Sequence, residues 1–195
     1  MTQIILASQS RARKELVSSL GIAFITLPAH IDEKSFRDVD LKIRAEKLAR
    51  AKAEKISSEN NAIIIACDTF SESDGKVFEK PSSKKEAIEM LTLLSGKEAI
   101  NYTGFCYIDR KNNIDFSTTV IVPYSLRILY PQEIELYVNS YPVTEWAAGF
   151  ALVEPYITSF IASVNGSYTG LAYGLPTELL IPLLKKSGFE PEPGR

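Results

Sequence analysis

The sequence predicts an α/β fold with a mixed central sheet flanked by helices. Three observations carry this. Strand-like and helix-like segments alternate early in the chain, the apolar run Ala62 to Cys67 reads as a strand buried on both faces, and two long strand-like segments follow as a hairpin.

Taken in order, Gln3 to Ser8 is rich in β-formers, and Ser8 to Ser10 offer caps to a helix over Arg11 to Leu20 that Gly21 stops. Ala23 to Leu27 reads as a second strand, closed by Pro28. The acidic stretch His30 to Asp40 leads into a helix over Leu41 to Ser57, whose Leu41, Ala45, Leu48, Ala49 and Ile56 recur at helical spacing. After Ala62 to Cys67, Asp68 falls where that strand is expected to end, and Ser73-Asp74-Gly75 signals a turn. A helix over Lys84 to Leu94 stops at Gly96. The hairpin strands are Ala99 to Asp109 and Phe116 to Leu129, joined across Asn112-Asn113. Pro131 opens a helix to Asn139, as proline suits a first helical position. Val143 to Tyr173, aromatic and glycine-containing, reads as β-like. The last helix spans Pro176 to Ser187, with Pro182 as an expected kink. The chain reads as one unit over residues 1–189 with a tail at 190–195.

Composition bounds the function. With 45% hydrophobic residues the chain can build a core, and a net charge of −2 gives no basic footprint for nucleic acid or an anionic membrane. No apolar run approaches the ~20 residues a membrane helix needs. The N-terminus carries no secretory pattern, and Cys67 and Cys106 sit in apolar strands as small buried residues, so a cytoplasmic location is expected. Any anionic ligand has to be held by a local cluster of cations.

Such clusters exist. Ser8-Gln9-Ser10 runs into a helix whose first turn carries Arg11, Arg13 and Lys14, where free N–H groups and cations together suit an anion. The same stretch also reads as a capped helix start with solvated cations. Asp68 at the mouth of a buried strand suits a general base or a Mg²⁺ ligand, or else a turn. Lys52 and Lys80 could reach a phosphate as mobile point charges, or lie in solvent. Phosphate-binding and dinucleotide glycine motifs are missing, and His30 is the single histidine.

The order of these pieces is more specific than any one of them. Leu6-Ala7-Ser8-Gln9-Ser10 with Arg13-Lys14-Glu15-Leu16, then Asp32-Glu33, Leu48-Ala49-Arg50-Ala51-Lys52-Ala53, Asp68-Thr69, Gly75, Lys80-Pro81, Leu94-Ser95-Gly96, Tyr102-Thr103-Gly104, Ala148-Gly149, Gly166 and Gly174-Leu175-Pro176 together resemble the Maf family of nucleotide pyrophosphatases. The resemblance implies an elongated two-lobed fold with a cleft between the lobes, and a homodimer. It implies that a nucleoside triphosphate is cleaved to monophosphate and pyrophosphate with Mg²⁺ or Mn²⁺. It assigns Asp68 as base and metal ligand, Glu33 as metal ligand, and Ser8, Arg13, Lys52 and Lys80 to the triphosphate. Departures stand at Ala12, at Glu79 in place of a glycine, at Ala99 in place of a histidine, and at Trp146-Ala147 in place of Asp-Lys. Glu154 stands where pyrimidine-specific members carry glutamine. With the altered arginine pattern, it points towards a 7-methyl-GTP subgroup, because a carboxylate can accept both N–H bonds of a guanine edge. Glu154 may equally be a simple exposed residue beside Pro155.

Two other classes compete. The departures at Ala12, Glu79 and Ala99 suit a nucleotide-binding regulator that does not hydrolyse. The aromatic C-terminal half around Trp146 suits a partner-binding surface.

Overall fold

A computed structural model describes residues 2–36 and 40–192. Part of the acidic stretch (37–39) and the end of the tail (193–195) therefore lie outside the described residues. One seven-stranded mixed sheet organises the chain, in the order β2 (Ile25–Thr26), β1 (Ile4–Leu6), β3 (Ile63–Ser73), β5 (Glu98–Asp109), β6 (Ile114–Leu126) and β7 (Ile161–Val164), with β4 (Lys76–Phe78) on the free edge of β3. β1 runs parallel to β2 and β3, and every other pairing is antiparallel.

Alternation along the central strands sorts side chains to two faces. Ile63, Ile65, Cys67, Phe105 and Tyr107 pack against α1 (Arg11–Ser19) and α7 (Thr177–Lys186). Ile64, Ala66, Cys106 and Ile108 face α2 (Leu41–Ser57) through Ala49, Ala53 and Ile56. At ~3.4 Å per residue, β5 and β6 reach on the order of 40 Å, well past this first core. Their far ends enter a second one, where Ala99, Val122, Tyr124 and Leu126 pack with α3 (Lys84–Leu94), α4 (Pro131–Ser140) and the segment after them. Two cores joined by one long hairpin give two lobes, as expected.

Three expectations change. Ala23 to Leu27 yields only the two exposed residues of β2, an edge strand that pairs with β1 alone. Val143 to Tyr173 is mainly short helical turns: the 3₁₀ turns Val143–Glu145 and Ala147–Gly149, α5 (Pro155–Thr158) and α6 (Tyr168–Ala172), with β7 its one strand. Its aromatic rings serve packing: Tyr156 and Phe160 sit in ring contact with Tyr137, and Trp146 with Tyr141. Asp68 does not end β3, which runs on to Ser73. Within the tail, Glu192 N–H donates to the Leu20 carbonyl at 3.0 Å.

Candidate active site

What ends beside Asp68 is the neighbouring strand. β1 pairs with β3 as far as Ile65, and β4 begins pairing only at Ser71, so residues 66–70 of β3 have a strand on one side only. The β5 side is fully paired, with Asp68 opposite Gly104. The cleft opens at that gap. It encloses about 430 Å³ and is lined by Ser8, Arg13, Glu33, Lys52, Asp68 and Lys80 among others, a size suited to a nucleotide. Six elements or loops contribute one of these side chains each.

Ser10, not Ser8, caps α1, its hydroxyl accepting Arg13 N–H at 3.4 Å. Ser8 is buried and its Oγ accepts from Ser10 N–H at 3.2 Å and from Arg13 Nη1 at 3.2 Å. Arg13 is fastened on all sides. Its Nε donates to Gly174 O at 3.0 Å, Nη1 also to Cys67 O at 2.9 Å, and Nη2 to Thr69 Oγ1 at 3.0 Å. A guanidinium has five N–H bonds, so the protein itself uses most of them. Arg13 ties α1, β3 and the turn at Gly174 together, and its charge faces the cleft without a carboxylate partner among the described residues.

On the opposite face of β3, Lys52 Nζ lies 2.5 Å from Asp68 Oδ1 and 2.8 Å from Glu33 Oε1. Lys52 and Asp68 are largely shielded, each with 13% of its side chain exposed, while Glu33 is more than half exposed. Burial disfavours the Lys52 ammonium, but Asp68 and then Glu33 outweigh it and raise its pKa. Lys80 lines the cleft with no hydrogen-bond or ion-pair partner among the described residues, its ammonium destabilised by crowding from the cleft walls and then by Arg13 and Lys52. One cation is thus held by carboxylates, and another is left to meet an anion.

The four residues expected at the phosphates and the expected general base Asp68 therefore share one cleft with Glu33. Glu154 does not. It is the N-cap of α5 and is not among the cleft-lining residues, which on that side include Trp146 and Phe150. Arg44 and Asn101 also line the cleft and were not singled out from sequence. Arg44 is one of six cations on α2, and the signal was its spacing: three residues after Leu41 and four before Leu48, on the apolar stripe. Asn101 is buried on β5 and donates to Thr103 Oγ1 at 3.0 Å, which itself donates to Gly170 O at 2.9 Å.

The chain matches the family described as Maf-like protein over residues 3–187. It is 35% identical over 187 residues to a dTTP/UTP pyrophosphatase of Syntrophus aciditrophicus, a span covering 95% of this chain and 90% of that protein. To a dTTP/UTP pyrophosphatase of Bacteroides thetaiotaomicron it is 35% identical over 188 residues, 94% of this chain and 95% of the other. To a nucleoside triphosphate pyrophosphatase of Prochlorococcus marinus it is 33% identical over 205 aligned positions, 95% of this chain and 98% of the other. Among solved structures, a HAM1 protein from Coxiella burnetii overlays 95% of this chain and 100% of its own with a TM-score of 0.45 at 16% identity, too slight a likeness to argue from. Matched by that family over residues 3–187 and similar to these relatives along nearly its whole length, the chain belongs to the Maf family.

Proposed function

We propose that the protein is a nucleoside triphosphate pyrophosphatase acting on dTTP or UTP. The observation that carries the reading is the convergence of Lys52, Asp68 and Glu33 beside Ser8, Arg13 and Lys80 in a single cleft. Cations around one carboxylate suit a phosphoanhydride, whose transition state spreads negative charge over oxygens. In the reaction, water oxygen bonds to the α-phosphorus while the α–β P–O bond breaks. The bond's electron pair leaves with pyrophosphate, and Asp68 takes the water proton. Lys52, Lys80 and Arg13 hold the phosphates, and the Ser8 hydroxyl is free to donate to one.

Among the described residues no cluster of three or more His, Cys, Asp or Glu is preformed for a metal. Mg²⁺ is commonly held by one or two carboxylates, with phosphates and water completing the shell. Asp68 and Glu33, drawn to one ammonium, fit that pattern and would hold it (or Mn²⁺) as a Lewis acid on the phosphates. The base is placed against the Trp146 and Phe150 wall, where an indole offers a stacking face. The guanine-edge argument for 7-methyl-GTP loses its support, because Glu154 stands outside the cleft lining and two of the three similar proteins carry dTTP/UTP names. A cytoplasmic homodimer belongs to the same reading.

The test is pyrophosphate release from dTTP, UTP, GTP and 7-methyl-GTP, with Mg²⁺ and with a chelator. Release from dTTP or UTP that the chelator abolishes is expected. Asp68→Asn should lose at least about a hundredfold in kcat, the ordinary scale of a general base, while still binding nucleotide. Wild-type turnover in that variant would remove Asp68 from the mechanism, and binding without turnover by the wild type would favour the regulator.

A further inference from the structure

Lys80 is preceded by Glu79, and both line the cleft, so a carboxylate stands beside a cation meant for a polyanion. Arg44 answers it. The Arg44 guanidinium is ion-paired to Glu79 Oε1 and lies over the Phe70 ring at 4.6 Å. Its side chain is 7% exposed and Glu79's 39%. Arg44 Nε is buried with no hydrogen-bond partner. A buried guanidinium with an unmet donor is costly, and an apolar side chain would pack on Phe70 at lower cost. Packing alone therefore does not account for it. Glu79 is also held from the other lobe, its backbone carbonyl accepting Ala148 N–H at 3.0 Å. Through Glu79, α2 and the Ala147–Gly149 turn grip the same loop from both sides.

We propose that Arg44 is a positioning residue for polyphosphate binding. By pairing with Glu79 it withdraws that carboxylate's charge from the cleft and fixes the loop that presents Lys80. The proposal rests on the reading of the cleft as a triphosphate site. Arg44 itself touches no reacting atom.

The experiment measures kcat and KM for pyrophosphate release, together with calorimetric binding of inorganic tripolyphosphate, for wild type, Arg44→Met, Arg44→Lys, Glu79→Gln and the double variant Arg44→Met with Glu79→Gln. Arg44→Met should raise KM and weaken tripolyphosphate binding about tenfold, the scale of one partly screened charge, with kcat within about twofold. The double variant should recover to within about threefold of wild type, and the Arg44→Met defect should shrink in high salt. A purely structural role would lower the melting temperature and leave the KM defect unrelieved by Glu79→Gln. That outcome, or an unchanged KM in Arg44→Met, overturns the proposal. If Arg44→Met does not fold, Arg44→Gln takes its place with the same expectation, about a tenfold rise in KM that high salt and Glu79→Gln relieve, and an unchanged KM or an unrelieved defect overturns the proposal. Tripolyphosphate binding that follows this pattern without turnover on any nucleotide would sink the enzyme reading and keep the role of Arg44.

Discussion

At the scale of single residues, the cleft divides its cations by what holds them. Arg13 is spent on the protein, Lys52 is shared between two carboxylates, and Lys80 waits. The lowered pKa of Lys80, due first to burial and then to Arg13 and Lys52, gives opposite signs for binding and for stability. With the ammonium as the proposed phosphate ligand, kcat/KM should fall as pH rises through a value below the ~10.4 of an ordinary lysine. In the window between the lowered value and the ordinary one, the unfolded chain binds more protons, so the empty fold gains stability as pH rises. Lys80→Met should remove that alkaline limb from the kcat/KM profile, and a limb unchanged in the variant would assign it to another group. Gly174 controls the other cation. At φ 62° it lies in the left-handed region, and a Cβ there would come 2.6 Å from Thr69 Oγ1 and 2.9 Å from Arg13 Nη2. Gly174→Ala should displace the guanidinium and weaken nucleotide binding at least about tenfold, as losing a charged hydrogen bond of ~1.5–3 kcal/mol implies. Nucleotide affinity equal to wild type by calorimetry would show that Arg13 can be moved without loss.

At the scale of elements, α2 and β5 are in contact at the backbone. A Cβ at Gly104 would fall 1.8 Å from the Ala45 carbonyl oxygen, with no flexible side chain to yield. Gly104→Ala should cost more than the ~1–3 kcal/mol of ordinary overpacking, read by urea unfolding. A cost under ~1 kcal/mol would mean α2 slides freely, and Lys52 would not be fixed over Asp68. Much of this level was legible beforehand. The spans Leu41–Ser57 and Lys84–Leu94 match the observed helices, because their apolar spacing and their stop signals agree. Val143 to Tyr173 was misread because its aromatic residues suggested strand, whereas β-propensity records packing on a half-buried surface more than backbone preference. Tyr156 and Phe160 find that packing in a core of rings, Tyr156 from within the single turn of α5. Asp68 was expected at a strand end because the sequence shows where an apolar run stops and cannot show where the adjacent strand stops. The Arg44–Glu79 pair lies 35 positions apart, beyond any local pattern.

At the scale of the whole molecule, two cores share one sheet, and the cleft is where the first core's short β1 gives way before the second lobe's β4 begins. Family motifs, read in order, located six of the cleft's side chains from sequence, while Glu154 depended on an alignment through an irregular segment and fell outside. The gap on β3 has a further consequence for how the protein survives in solution. A bare strand edge invites pairing with another chain, and long flat edges are the usual start of aggregation. Here the unpaired stretch is confined to residues 66–70, bounded by β1 and β4, with Ala66, Cys67 and Phe70 buried and the Arg13 guanidinium on the Cys67 carbonyl. The gap that opens the cleft is therefore too short and too charged to seed strand-to-strand association.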